Sequence, residues 1–89
     1  MKYAIIDGSA VSSMAEIHRT LAEQLSLPEW YGNNLDALHD QLTAIGEPTL
    51  LQLLHWEDAE SSLGRYAQGA LRAIEDAVEE NPYLNVIFL

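Results

Sequence analysis

Asp36, Asp40 and Thr43 fall at i, i+4 and i+7, so a helix through them sets two carboxylates and a hydroxyl along one stripe, opposite Leu35, Leu38 and Leu42. Paired carboxylates can do general acid and base work, and Asp36 with His39 at i, i+3 could supply two ligands to a metal ion. Acid–base chemistry normally needs a cleft that shifts one pKa, and two ligands do not complete a metal site. On the plainest reading Asp36 complements the dipole of its helix and Asp40 is a solvated charge. The sequence holds no G-x-G-x-x-G, G-x-x-x-x-G-K-[ST], H-E-x-x-H or G-x-S-x-G motif. Gly8-Ser9 follows an apolar run where some α/β proteins bind phosphate. A single glycine lacks the nest of amides, however, and Asp7 would repel the anion, so a plain turn is expected there.

The neighbourhood of the stripe favours binding over catalysis. It begins directly after a loop, residues 27–34, in which Pro28 stops the preceding helix, Gly32, Asn33 and Asn34 permit tight backbone, and Trp30 and Tyr31 stand side by side. Bulky rings next to charges that can be desolvated are the material of interface hot spots. Tyr31 is the ring better suited to turn inward and anchor the loop.

The elements that must position these residues alternate. Residues 3–7 are β-branched and aromatic and read as a strand. Ser13 and Glu16 have the spacing of a capping box, and Met14, Ile17, Leu21 and Leu25 predict a helix over 14–25. Asn33 or Asn34 caps a second helix at about 35–44 with Leu35, Leu38, Leu42 and Ile45 inward. Residues 49–54 fit a central strand behind Pro48, residues 57–63 a short helix, and residues 65–80 a longer one with Leu71, Ile74, Ala77 and Val78 inward. Residues 85–89 are a third strand. Helical connections between all three strands imply parallel pairing, hence an α/β fold: a three-stranded parallel sheet packed with about four helices.

The 89 residues fit one compact domain, 1–89, with little interior to spare for a deep active site. Cysteine is absent, which fits a reducing cytoplasm and removes thiolate chemistry. The first apolar run meets Asp7 too early for a signal peptide or a membrane span. Fourteen acidic residues against four basic ones give a formal charge of −10 and a pI near 4.3, a field that repels phosphate backbones and anionic lipid, so neither nucleic acid nor membrane is expected as a partner. Between residues 20 and 64 there is no Lys or Arg, and a cationic partner would be steered toward that half.

The segment Leu27-Pro-Glu-Trp-Tyr-Gly-Asn-Asn-Leu-Asp-Ala-Leu-His-Asp-Gln-Leu-Thr43, with Ile-His-x-Thr-Leu at 17–21, resembles the signature of the barstar family, small intracellular inhibitors of guanyl-specific bacterial ribonucleases. The similarity spans nearly the whole chain and is thinnest around residues 44–55. It implies a three-stranded parallel sheet with helices, and a loop and second helix that plug a basic, extracellular-type ribonuclease without any cofactor or metal. Carried over by position, the partner-binding residues would be Trp30, Gly32, Asn34, Leu35, Asp36, His39, Asp40, Thr43 and, peripherally, Asp76. Asp40 would take the place of an RNA phosphate and Asp36 would pair with a neighbouring cation. The family's familiar member carries tyrosine at Trp30, tryptophan at His39 and at Ile45, and glutamate at Asp76. These replacements keep the acids, alter the shape around them, and add in His39 a group that titrates near neutral pH. A monomer is expected when free. Two alternatives stand beside this reading: an acidic, antitoxin-like module for another cationic partner, and a small metal or carboxylate enzyme using Asp36, His39 and Asp40.

Overall fold

Parallel strands cannot be joined by tight turns, so each crossover here carries helices. In the computed structural model, which describes residues 1–89, strand β1 (Lys2–Asp7) leads through α1 (Met14–Gln24) and α2 (Leu35–Thr43) to β2 (Thr49–Leu54). From there α3 (Trp56–Leu63) and α4 (Arg65–Glu80) lead to β3 (Leu84–Phe88). The sheet is parallel throughout, in the order β1-β2-β3, so residues 49–54 form the central strand as expected. The register sets Ala4 beside Leu51 and Ile6 beside Leu53. Together with Leu84 these side chains form the buried face against which Ile17, Leu21, Leu38, Leu42 and Ile74 pack. No helix is long and apolar enough to cross a membrane.

Boundaries differ from the sequence reading by a residue at several ends. Leu25 is the C-cap of α1, Ala44 the C-cap of α2, and β3 runs one residue earlier than expected. Helix α3 begins at Trp56, whose ring is buried. The inward face of α4 needs a larger correction. Ile74 and Ala77 are buried as expected, but Leu71 and Val78 are only half-buried, and the face is completed by Ala67, Ala70 and Ala73. A face of alanines lets α2 approach closely, and at Gly69 an added Cβ would lie 3.0 Å from Cδ1 of Leu35.

Three side chains fasten the elements. The Gln24 amide lies along the outer edge of β1, its Oε1 accepting from the Ile5 N–H at 2.6 Å and its Nε2 donating to the Ile5 carbonyl at 2.8 Å. The Asp7 carboxylate accepts from both the N–H and the hydroxyl of Ser9, which consumes that amide in a turn and agrees with the plain-turn reading of Gly8-Ser9. The buried Asn81, just after α4, donates from Nδ2 to the carbonyls of Leu42 and Ile45, both at 2.9 Å, and so caps the C-terminal end of α2. Replacing Asn81 with alanine takes this donor from both carbonyls and leaves Leu42 only the long bond from the Ile45 N–H, 3.4 Å, at an expected cost of about 1–3 kcal/mol in urea denaturation. A loss below about 0.5 kcal/mol would mean that water substitutes freely for the amide.

Candidate functional site

The loop that opens the site is pinned at both ends. At one end Tyr31 is buried, its hydroxyl 2.6 Å from Nδ1 of the equally buried His18, with the two rings tilted and their centroids 5.6 Å apart. Burial pushes the Tyr31 phenol up to about 12 and holds His18 below the usual histidine value, so both stay neutral near pH 7. At the other end Asn34 is the N-cap of α2, its side chain accepting from the Ala37 N–H at 2.8 Å and donating to the Gly32 carbonyl at 3.3 Å. Asn33 takes the left-handed conformation between them, φ 51°, which asparagine tolerates better than most residues. Of the adjacent rings Tyr31 is therefore the anchor, and Trp30 is left 76% exposed.

Helix α2 then presents its acids. Asp36 is exposed in the first turn, favourably placed at the positive end of the helix dipole. Asp40 follows one turn later with its side chain 81% exposed. No arginine of the chain forms an ion pair, and the single lysine, Lys2, pairs with Glu47 and not with Asp36 or Asp40. The carboxylates of Asp36 and Asp40 thus remain uncompensated by the chain's own Lys and Arg. Thr43 is partly buried and turns its hydroxyl back onto the carbonyls of His39 and Asp40, both at 3.0 Å, so its donor is spent within the helix.

Between α2 and α4 lies an open groove of about 360 Å³, lined by Leu35, Asp36, His39, Gly69, Arg72, Ala73 and Asp76. Four of the residues singled out from the sequence, Leu35, Asp36, His39 and Asp76, meet here, whereas Trp30, Gly32, Asn34, Asp40 and Thr43 lie outside it. His39 is half-buried and its Nε2 is hydrogen-bonded to Glu80 of α4, while Nδ1 lies 3.8 Å from Oδ1 of Asp40. The Glu80 hydrogen bond, and then the negative charges of Glu80, Asp40 and Asp76, raise His39 above the ordinary histidine value. A raised folded value means that this contact stabilises fully below the unfolded-state value near 6.5, and that the contribution is lost as pH rises through the folded value.

Glu80, Arg72 and Asn81 were not among the residues the sequence reading singled out. Asp76 and Glu80 are four apart, hence on one face of α4, and that spacing beside the candidate Asp76 is the unused signal by which Glu80 could have been found. For Asn81 no local signal exists beyond its place before Pro82.

The family model described as Barstar (barnase inhibitor) matches residues 1–87. The chain belongs to the barstar family. It is also 40% identical over 81 residues to the protein of Bacillus subtilis (strain 168) named "Putative ribonuclease inhibitor YrdF", an alignment covering 90% of this chain and 89% of that one. Within this barstar-family fold the replaced positions have distinct surroundings. His39 reaches across to α4, Asp76 lies exposed on the groove, and Ile45 is half-buried with its carbonyl held by Asn81.

Proposed function

We propose that this chain is a stoichiometric, non-enzymatic inhibitor of a basic, guanyl-specific ribonuclease, acting as a monomer that occludes the enzyme's active site with α2 and the preceding loop. One observation supports the reading above the others: Asp36 and Asp40 stand out from a rigid, capped helix with no lysine or arginine of this chain paired to them. A site that holds RNA phosphate is lined by cations, and a fixed carboxylate meets them with charge-assisted hydrogen bonds while offering no bond to cleave. Asp40 takes the phosphate position, Asp36 pairs with an adjacent cation, and Asp76 adds charge from the far wall of the groove. Trp30 and His39 exclude water around these pairs, and Gly32, Asn34, Leu35 and Thr43 complete the surface. Membership of the family and the name of the Bacillus relative support the ribonuclease as partner. The reading as a metal enzyme lacks material: no group of three or more His, Asp or Glu side chains is placed to hold a metal ion.

Titration of the protein into an assay of a guanyl-specific ribonuclease is expected to reach a one-to-one endpoint. Stopped-flow association should slow steeply with added salt, because steering between exposed charges is screened over about 10 Å at roughly 0.1 M. Residual activity at molar excess would dismiss the inhibitor, and salt-insensitive association would dismiss the acidic ridge as the docking element.

A further inference from the structure

Histidine 39 faces carboxylates on both sides. Its Nε2 meets Glu80 of α4 and its Nδ1 lies 3.8 Å from Asp40 of its own helix. A neutral imidazole has one N–H and therefore turns a lone pair toward one of these two acids, while the imidazolium turns a proton toward each. The remaining charged groups around it are Asp36 of α2 and Asp76 and Arg72 of α4, all lining the same groove. The arginine forms no ion pair with these acids, so the surroundings of His39 favour its cationic form.

Asp40 is also the carboxylate assigned above to the enzyme's phosphate-binding cations, so one acid serves two positive groups. We propose that His39 holds a proton between Glu80 and Asp40 in the free protein, and that docking of the cationic ribonuclease releases this proton to solvent. The inference rests on the inhibitor reading and adds its regulation. Incoming arginine or lysine side chains lie within a few ångströms of the imidazolium, compete with it for Asp40, and strip water from it. All three effects favour the neutral ring. Release leaves His39 as a neutral donor to Glu80, with α2 and α4 still joined. Inhibition is then tightest where His39 has already lost its proton, so affinity contributed by this residue grows as pH rises, opposite in sign to the stability contributed by the same contact.

The test compares the wild type with His39→Gln against one ribonuclease, at fixed salt, across pH values from roughly 6 to roughly 8, which bracket the ordinary histidine range. Comparison cancels the enzyme's own titrating groups. The ratio of the wild-type Kd to the variant Kd is expected to fall by about threefold or more over that range, with about tenfold per pH unit as the ceiling for one proton. Calorimetry in two buffers of different ionisation enthalpy should show proton release that the variant lacks. In the free protein, NMR titration of the His39 ring should move to lower pH in Glu80→Gln. A ratio that is flat or rises with pH, while tight binding persists, overturns the proton release and leaves the inhibitor reading standing. An unchanged His39 titration in Glu80→Gln also overturns it. Absence of any complex at every pH ends the ribonuclease reading, and this inference with it.

Discussion

Asp40→Ala is expected to weaken the complex with a guanyl-specific ribonuclease by about 2–5 kcal/mol, expressed mainly as faster dissociation. That range comes in part from barnase–barstar complexes themselves and is carried over to this member of the family. Its physical origin is the enzyme cation left buried without a counter-charge, which costs more than the pair contributes when intact. Folding should hardly notice, because the Asp40 side chain is 81% exposed and its only ionic contact is with His39. Urea denaturation should therefore agree with the wild type within about 0.5 kcal/mol. Surface plasmon resonance read alongside that control separates the outcomes: an unchanged dissociation rate removes Asp40 from the interface, and a large stability loss reassigns it to the fold.

The second large effect concerns the fold that carries the ridge. Gly8 follows β1 directly and is buried, its N–H donating to the Leu54 carbonyl at 2.7 Å. A Cβ built there would lie 2.2 Å from the His55 carbonyl oxygen, 2.9 Å from its carbon and 3.2 Å from Cβ of Ala59. Two of these three atoms are backbone, so no rotamer change relieves the contact, and His55 is already in the left-handed region at φ 50°. Gly8→Ala should cost about 3 kcal/mol, at the upper end of what overpacking does, out of a total stability on the order of 5–15 kcal/mol. A denaturant midpoint shifted by less than the equivalent of about 1 kcal/mol would show that the β2–α3 junction yields more readily than its packing suggests.

Much of this architecture is written in short-range signals. The β-branched and aromatic residues of 3–7, the helical periodicity of residues 14–25 and the Pro28 break each determine a local conformation without help from elsewhere, and the elements lie within a residue of those limits. Asn33 and Asn34 were equivalent as caps on sequence grounds. The structure divides the work, with Asn33 in the left-handed turn and Asn34 on the Ala37 amide. The Ser13–Glu16 capping box is half made: Ser13 accepts from the Glu16 N–H at 3.2 Å, whereas the Glu16 carboxylate takes the Ser12 hydroxyl at 2.6 Å. Outward placement of Asp36 and Asp40 follows from their being opposite the leucines. What periodicity could not supply is partnership across long stretches of chain. His39 meets Glu80 and Asn81 meets the end of α2 across roughly forty residues, and such pairs depend on how two helices settle against each other. The alanine face of α4 was missed for a related reason: a scale that rewards large apolar side chains favours Leu71 and Val78, while close packing against α2 favours the smallest ones.

Gln24 has a consequence for how these molecules behave toward one another when crowded. An outer strand offers unpaired amide and carbonyl groups on which a foreign strand can add, and that is the ordinary starting point of fibre growth. By imitating a peptide group and occupying both positions of Ile5, the Gln24 carboxamide acts as a stopper at the middle of that margin. Recruitment of a further strand on the β1 side would first have to evict it.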